Sequence, residues 1–190
     1  MSRPAWSVSR SLGLTALVTV AGVGGCAHAP SPLDRIGVAF ATLISPTGES
    51  RGTAELWQGT DNVVHVRMQL RDLTPGEHGI HFHAVARCEG GGATPFSSAG
   101  AHYNPIGRQH GLQHPSGPHA GDAPNITVGA DGRADTGFET DRATLTDGST
   151  TLFDADGSSI VIHAAPDDQA TQPSGNSGAR VACGVLRRTL

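Results

Sequence analysis

The chain has 190 residues, a formal net charge of −4 and a pI near 6.2. That length holds one domain and not two ordinary ones, and that charge excludes a nucleic-acid binder with a basic face. Glycine (26) and proline (12) mark a turn-rich chain short of low-complexity disorder, and a charged content of 16% argues against long surface helices.

Residues 1–25 read as a signal peptide. Arg3 and Arg10 precede the apolar run Leu12 to Val23, which is too short to span a bilayer as a helix and has the length of a signal-peptide h-region. The run ends in Val23-Gly24-Gly25-Cys26, which resembles the bacterial lipobox, where the cysteine becomes the lipidated first residue of the mature protein. A free or buried Cys26 behind an ordinary signal peptide is the alternative. Removing 1–25 takes away two arginines and no acid, so the net charge becomes −6. Residues 26–35 read as a Pro-containing tether and 36–190 as the single domain. With Cys26 lipidated, Cys88 and Cys183 remain, and an even pair in an exported protein reads as one disulfide. The expected location is the periplasm or cell envelope, with a lipid anchor in a membrane.

The body reads as strands and loops. Ile36 to Ile44 and Gly52 to Trp57 are strand-like, and Val63 to Leu70 alternates with period two. Gly79 to His83 alternates as well, with His81 and His83 on one face and Ile80 and Phe82 on the other. Ala84 to Pro124 then has no periodicity and is rich in Gly, Pro, Ser and His; a loop that long needs something to pin it. Strands resume at Ile126 to Val128, Ala134 to Thr140, Ser159 to Ala164 and Arg180 to Leu186, with a second polar loop over Ala165 to Ala179. The expected fold class is all-β, a sandwich or barrel with two long loops.

Histidine carries the functional signal, with ten of 190 residues. The pair His81 and His83 projects two imidazoles to one side of a strand. His102, His110, His119 and Asp122 lie in the loop that needs pinning, and His163 closes a later strand. Imidazole suits copper and zinc, and a carboxylate suits zinc, so a metal site is expected.

At these residues the chain resembles the copper/zinc superoxide dismutases. Gly76-Glu77-His78-Gly79-Ile80-His81-Phe82-His83 resembles that family's copper-binding signature. Ser98 to Pro105 resembles the segment with the bridging histidine, and His119 to Asn125 the zinc segment. Gly175 to Val185 is similar to the C-terminal signature. The likeness covers about residues 36–187, in the family's order.

The resemblance implies an eight-stranded Greek-key barrel of immunoglobulin-like architecture, copper and zinc as cofactors, and superoxide as substrate. It implies copper ligands His81, His83, His102 and His163. Zinc ligands would be His102, His110, His119 and Asp122, with His102 bridging the metals and moving a proton. It further implies Asp167 as the carboxylate tying His81 to His110, a Cys88–Cys183 disulfide, and Arg180 beside the open copper position. His78 is expected as a non-ligand in hydrogen bonds at the barrel end. His28, His65 and His114 are expected in tether, strand surface and loop. The second loop lacks the Lys and Glu pattern of the animal enzymes, and Ala84 replaces an acid; neither change touches a ligand. Bacterial relatives include monomers and homodimers, so both remain open. Two other readings compete. A metal buffer on the same fold predicts loss of a copper ligand or Arg180, and a vestigial surface lipoprotein predicts scattered ligand losses. Neither loss occurs in the sequence.

Overall fold

The computed structural model describes residues 35–189. The leader, Cys26, His28 and nearly all of the tether lie outside the described residues. Ten strands follow in chain order: β1 Arg35–Ile44, β2 Ser50–Gly59, β3 Val64–Leu70, β4 Gly76–His78, β5 Ile80–His83, β6 Ile126–Val128, β7 Ala134–Thr140, β8 Ser159–His163, β9 Arg180–Val185 and β10 Arg187–Arg188. The one helical element among the described residues is a 3-10 turn at Ser97–Ala99, inside the first long loop.

Strand β3 shows why these segments extend. Val64, Val66, Met68 and Leu70 point inward and are buried, while His65, Arg67 and Gln69 face outward. The period-two pattern therefore selects the face. Every ladder in the main sheet is antiparallel, in the order β5-β8-β9-β1-β2-β3-β7, with β10 on β1. A second ladder pairs β4 with β6. Since β4 runs into β5 and β6 leads toward β7, this ladder links the two ends of the curled sheet. The all-β, Greek-key expectation holds; copper/zinc superoxide dismutases are themselves a standing example of this immunoglobulin-like architecture. Leu43, Leu56, Met68, Ile80, Phe82 and Ile162 lie in the shared core.

The strands differ from the sequence expectation chiefly in two places. β2 runs beyond Gly52–Trp57 at both ends, because it pairs with β1 along Ser50–Gly59. The strand expected from Gly79 begins at Ile80, and Gly76–His78 just before it forms a separate short strand, not expected from the sequence, that serves a different ladder. At the break the Gly79 N–H turns to the Ala165 carbonyl at 2.9 Å, and the Gly79 carbonyl accepts from the His163 N–H at 2.9 Å. The second loop is thereby held beside the end of β8.

The first loop is pinned along the free edge of β5. Phe82 donates to the Gly121 carbonyl at 2.9 Å and accepts from the Tyr103 N–H at 2.8 Å. Single bridges join His81 to Asp122 and His83 to His102. The loop's start is fastened by the Cys88–Cys183 disulfide, with 5.6 Å between the Cα atoms, and Cys183 packs with Phe96, Ala99 and Val161.

This cross-link spans 95 residues of sequence. The chain-entropy model gives about 4–5 kcal/mol for such a loop. Cys183→Ser should lower the melting temperature by roughly 10 °C or more at this domain size. Scanning calorimetry of oxidised, reduced and Cys183→Ser protein checks it. Equal melting of all three would remove the disulfide from the stability account.

Candidate metal centre

Seven titratable side chains meet where the first loop crosses the β5 edge. His81 and His83 come from β5, and His163 ends β8, its hydrogen-bonded neighbour. His102, His110, His119 and Asp122 come from the loop. All seven are buried, with His81, His83 and His110 wholly inaccessible.

One donor atom from each of His81, His83, His102 and His163 lies within 4.8 Å of the others. The second ring nitrogen of each is already committed. His81 Nε2 donates to Asp167 Oδ2 at 2.7 Å, and His83 Nδ1 donates to the Gly100 carbonyl at 3.0 Å. His163 Nδ1 donates to the Gly178 carbonyl at 3.2 Å, and His102 Nδ1 lies 3.0 Å from Asp122 Oδ1. His81 Nδ1, His83 Nε2, His102 Nε2 and His163 Nε2 are left buried with no partner. Buried polar atoms are seldom orphaned, and four converging imidazole lone pairs form a copper-type ligand set. These residues fit that metal.

The other side of His102 faces a second cluster. Asp122 Oδ1 lies 3.0 Å from His102 Nδ1, 3.0 Å from His110 Nδ1 and 3.3 Å from His119 Nδ1. A tetrahedral zinc with bonds of about 2.0–2.1 Å has ligand–ligand edges of roughly 3.3 Å, so these residues fit zinc. His81 also has a donor atom within 4.8 Å of His102, His110 and Asp122. Its Nε2 is held by Asp167 and its Nδ1 belongs to the first cluster. His119, in contact with the shared oxygen, is therefore the better fourth zinc partner.

Four supports orient this cluster. Asp122 Oδ2 accepts from the Gly111 and His119 N–H groups at 2.8 and 3.0 Å. Asp167 bridges the two sides, with Oδ2 on His81 and Oδ1 accepting from His110 Nε2 at 3.0 Å. Asn125 pairs with both backbone polar groups of Asp167, at 2.8 and 2.9 Å. Gly175 packs on the bridge so closely that a Cβ there would sit 1.7 Å from Asp167 Oδ1 and 2.7 Å from His110 Nε2. Outer partners of this kind fix tautomer and ring orientation.

Burial governs the charge states. It pushes His83 well down, His163 to about 3, His102 to about 4, and His81 down despite its bond to Asp167. These rings are neutral and ready to ligate. Burial opposes charge on His110 too, but a carboxylate at each ring nitrogen raises it to about 9. Burial likewise pushes Asp122 and Asp167 up, yet their histidine and backbone hydrogen bonds outweigh it and hold both far below the carboxylate range.

Arg180 starts β9 and lines a cavity of about 510 Å³ with His102 and His163. Its guanidinium donates to the carbonyls of Phe96 and Gly100, at 2.5 and 2.6 Å. The Gly100 carbonyl thus receives both Arg180 and His83, placing a fixed cation beside the four-nitrogen cluster. His78 spans the His163 and Thr74 carbonyls at 2.6 and 2.8 Å, in the hydrogen-bonding position expected of it. His65 is more ordered than a plain surface residue, stacked 5.3 Å from Trp57 and 3.0 Å from Glu139. His114 sits in the loop, where its Nδ1 accepts from the Ser116 N–H at 3.1 Å.

Two adjoining groups of buried metal-ligand side chains, meeting at His102 on the edge of a Greek-key barrel, could hold two metal ions. A protein-family model described as copper/zinc superoxide dismutase matches residues 50–186. The chain belongs to the copper/zinc superoxide dismutase family.

A copper/zinc superoxide dismutase of Caulobacter vibrioides is 41% identical over 152 residues, covering 78% of this chain and 85% of the relative. A superoxide dismutase-like protein of Bacillus subtilis is 36% identical over 187 residues, covering 91% and 94%. The crystal structure of a SOD-like protein from that organism superposes with a TM-score of 0.72 at 36% identity, over 78% of this chain and 97% of the other.

Proposed function

We propose that this protein is an exported superoxide dismutase, converting two superoxide anions and two protons into dioxygen and hydrogen peroxide. His81, His83, His102 and His163 would hold copper, and His102, His110, His119 and Asp122 would hold zinc. The observation that carries this reading is the convergence of four buried, unpartnered imidazole nitrogens whose second nitrogens are already fixed. Copper would supply the one-electron chemistry by alternating between two oxidation states, and zinc would be structural.

The chain's own residues do the rest. Arg180 keeps its charge at any working pH and draws the anion into the cavity above His102 and His163. His102 holds a proton at Nε2 in one half-cycle and passes it to the departing peroxide in the other, while Nδ1 stays on the zinc side. The second proton comes from solvent. Asp167 restrains His81 and His110 throughout, so only the bridge needs to move.

The superoxide dismutase-like name of the Bacillus relative raises a non-catalytic alternative. One solved variant of a SOD-like protein from that organism replaces a tyrosine and a proline with histidine. The present chain carries all four histidines of the first cluster, which favours the enzyme. Stopped-flow decay of superoxide on the metal-loaded chain tests this. Catalytic decay that needs copper and disappears with a copper chelator is expected; metal uptake without catalysis would leave the buffer reading.

The location follows from the same proposal. A leader over 1–25 and lipidation at Cys26 would carry the domain out and tether it to a membrane through 26–35. A disulfide suits an oxidising compartment, which supports export. Mass spectrometry of the membrane-extracted protein should show a diacylglycerol-modified Cys26 at the mature N-terminus.

A further inference from the structure

Gln169 and Gln172 lie in the second loop and neither is a metal-ligand type. The Gln172 carboxamide accepts from the His110 N–H at 2.8 Å and donates to the His110 carbonyl at 2.9 Å. This is the paired exchange that a neighbouring strand would make, here supplied by one side chain in a region without strands. Gln169 makes a second link of a different kind, joining two points of the first loop by accepting from the Leu112 N–H at 3.1 Å and donating to the Ala123 carbonyl at 3.2 Å. Between these rungs the loops touch directly. A Cβ at Gly111, which has a φ of +104°, would sit 2.1 Å from the Gln169 carbonyl oxygen.

We propose that Gln172, assisted by Gln169, is a positioning residue for zinc, clamping the His110 backbone so that its Nδ1 stays aimed at the Asp122 corner. The inference rests on the zinc assignment proposed above. Asp167 fixes the His110 ring from one end, and the Gln172 clamp fixes its main chain. Without the clamp, His110 keeps its ring bond but loses both main-chain anchors to the second loop. Loss of such outer partners typically weakens metal binding 10–100-fold. The first cluster depends less on this clamp, since two of its residues, His83 and His163, are held separately by the Gly100 and Gly178 carbonyls.

The test uses the full chain, with zinc affinity read by competition against a chromophoric chelator, and copper affinity and metal-free melting read in parallel. Gln172→Leu should weaken zinc about tenfold or more and copper distinctly less, with metal-free melting lowered only by the two lost hydrogen bonds. Gln172→Glu separates pairing from charge. A clamp predicts weaker zinc, because a second oxygen then faces the His110 carbonyl, whereas simple electrostatic attraction predicts tighter zinc. Unchanged zinc in Gln172→Leu, equal weakening of both metals, or tighter zinc in Gln172→Glu would each overturn the clamp. A wild-type chain that takes up no zinc would overturn the zinc assignment together with it.

Discussion

His102→Ala should disable both halves of the centre at once. Its ring is the one group whose two nitrogens face different clusters, with Nδ1 on Asp122 and Nε2 among the four unpartnered atoms. Removing it takes one ligand from each metal and the proton carrier from the reaction. Activity should fall by more than the roughly 10–100-fold that loss of an outer partner costs. His119→Ala is the control, since it touches only the zinc cluster and should chiefly lower zinc content. Metal analysis of both variants beside stopped-flow rates separates the cases. Full copper and full activity in His102→Ala would end the bridging assignment.

The second large effect concerns Arg180. The whole chain has a formal charge of −4, and removal of the proposed leader would make it −6, so superoxide is repelled by the protein as a whole. Attraction must then be local. Arg180 is the only basic residue between His163 and Cys183, and two backbone carbonyls hold it at the cavity. Salt screens charge over about 10 Å at 0.1 M. A site-dominated field should therefore give a wild-type rate that falls gently as salt is added. Arg180→Glu should lower the rate at least about tenfold, some 1.4 kcal/mol in barrier, and abolish or invert the salt dependence. Copper loading is measured in both proteins, because the Gly100 carbonyl also positions His83. A wild-type rate that rises with salt would show that net repulsion dominates.

Much of this was legible in the sequence because it is written in local spacing. Two histidines at i and i+2 on a strand share a face whatever the partner strand, and the core alternation of β3 selects its own inward side. Other features depend on what lies across the fold. The division at Gly79 arises because Ala165 and His163, more than eighty residues on, take its N–H and carbonyl. The anchorage of Arg180 uses carbonyls 80 and 84 residues away. The glutamine rungs left no trace, because glutamine is unremarkable in a polar loop until its neighbour is known. His65 likewise gains its order from its register partners on the two flanking strands, Trp57 on β2 and Glu139 on β7.

The central claim is that two metals share His102 at the residues named here. Anomalous diffraction at the copper and zinc edges, on crystals of the metal-loaded protein, tests it most directly. The expected result is a copper peak among His81 Nδ1, His83 Nε2, His102 Nε2 and His163 Nε2, and a separate zinc peak among His102 Nδ1, His110 Nδ1, His119 Nδ1 and Asp122 Oδ1. A copper peak elsewhere, or a single peak without His102 between two metals, would contradict it.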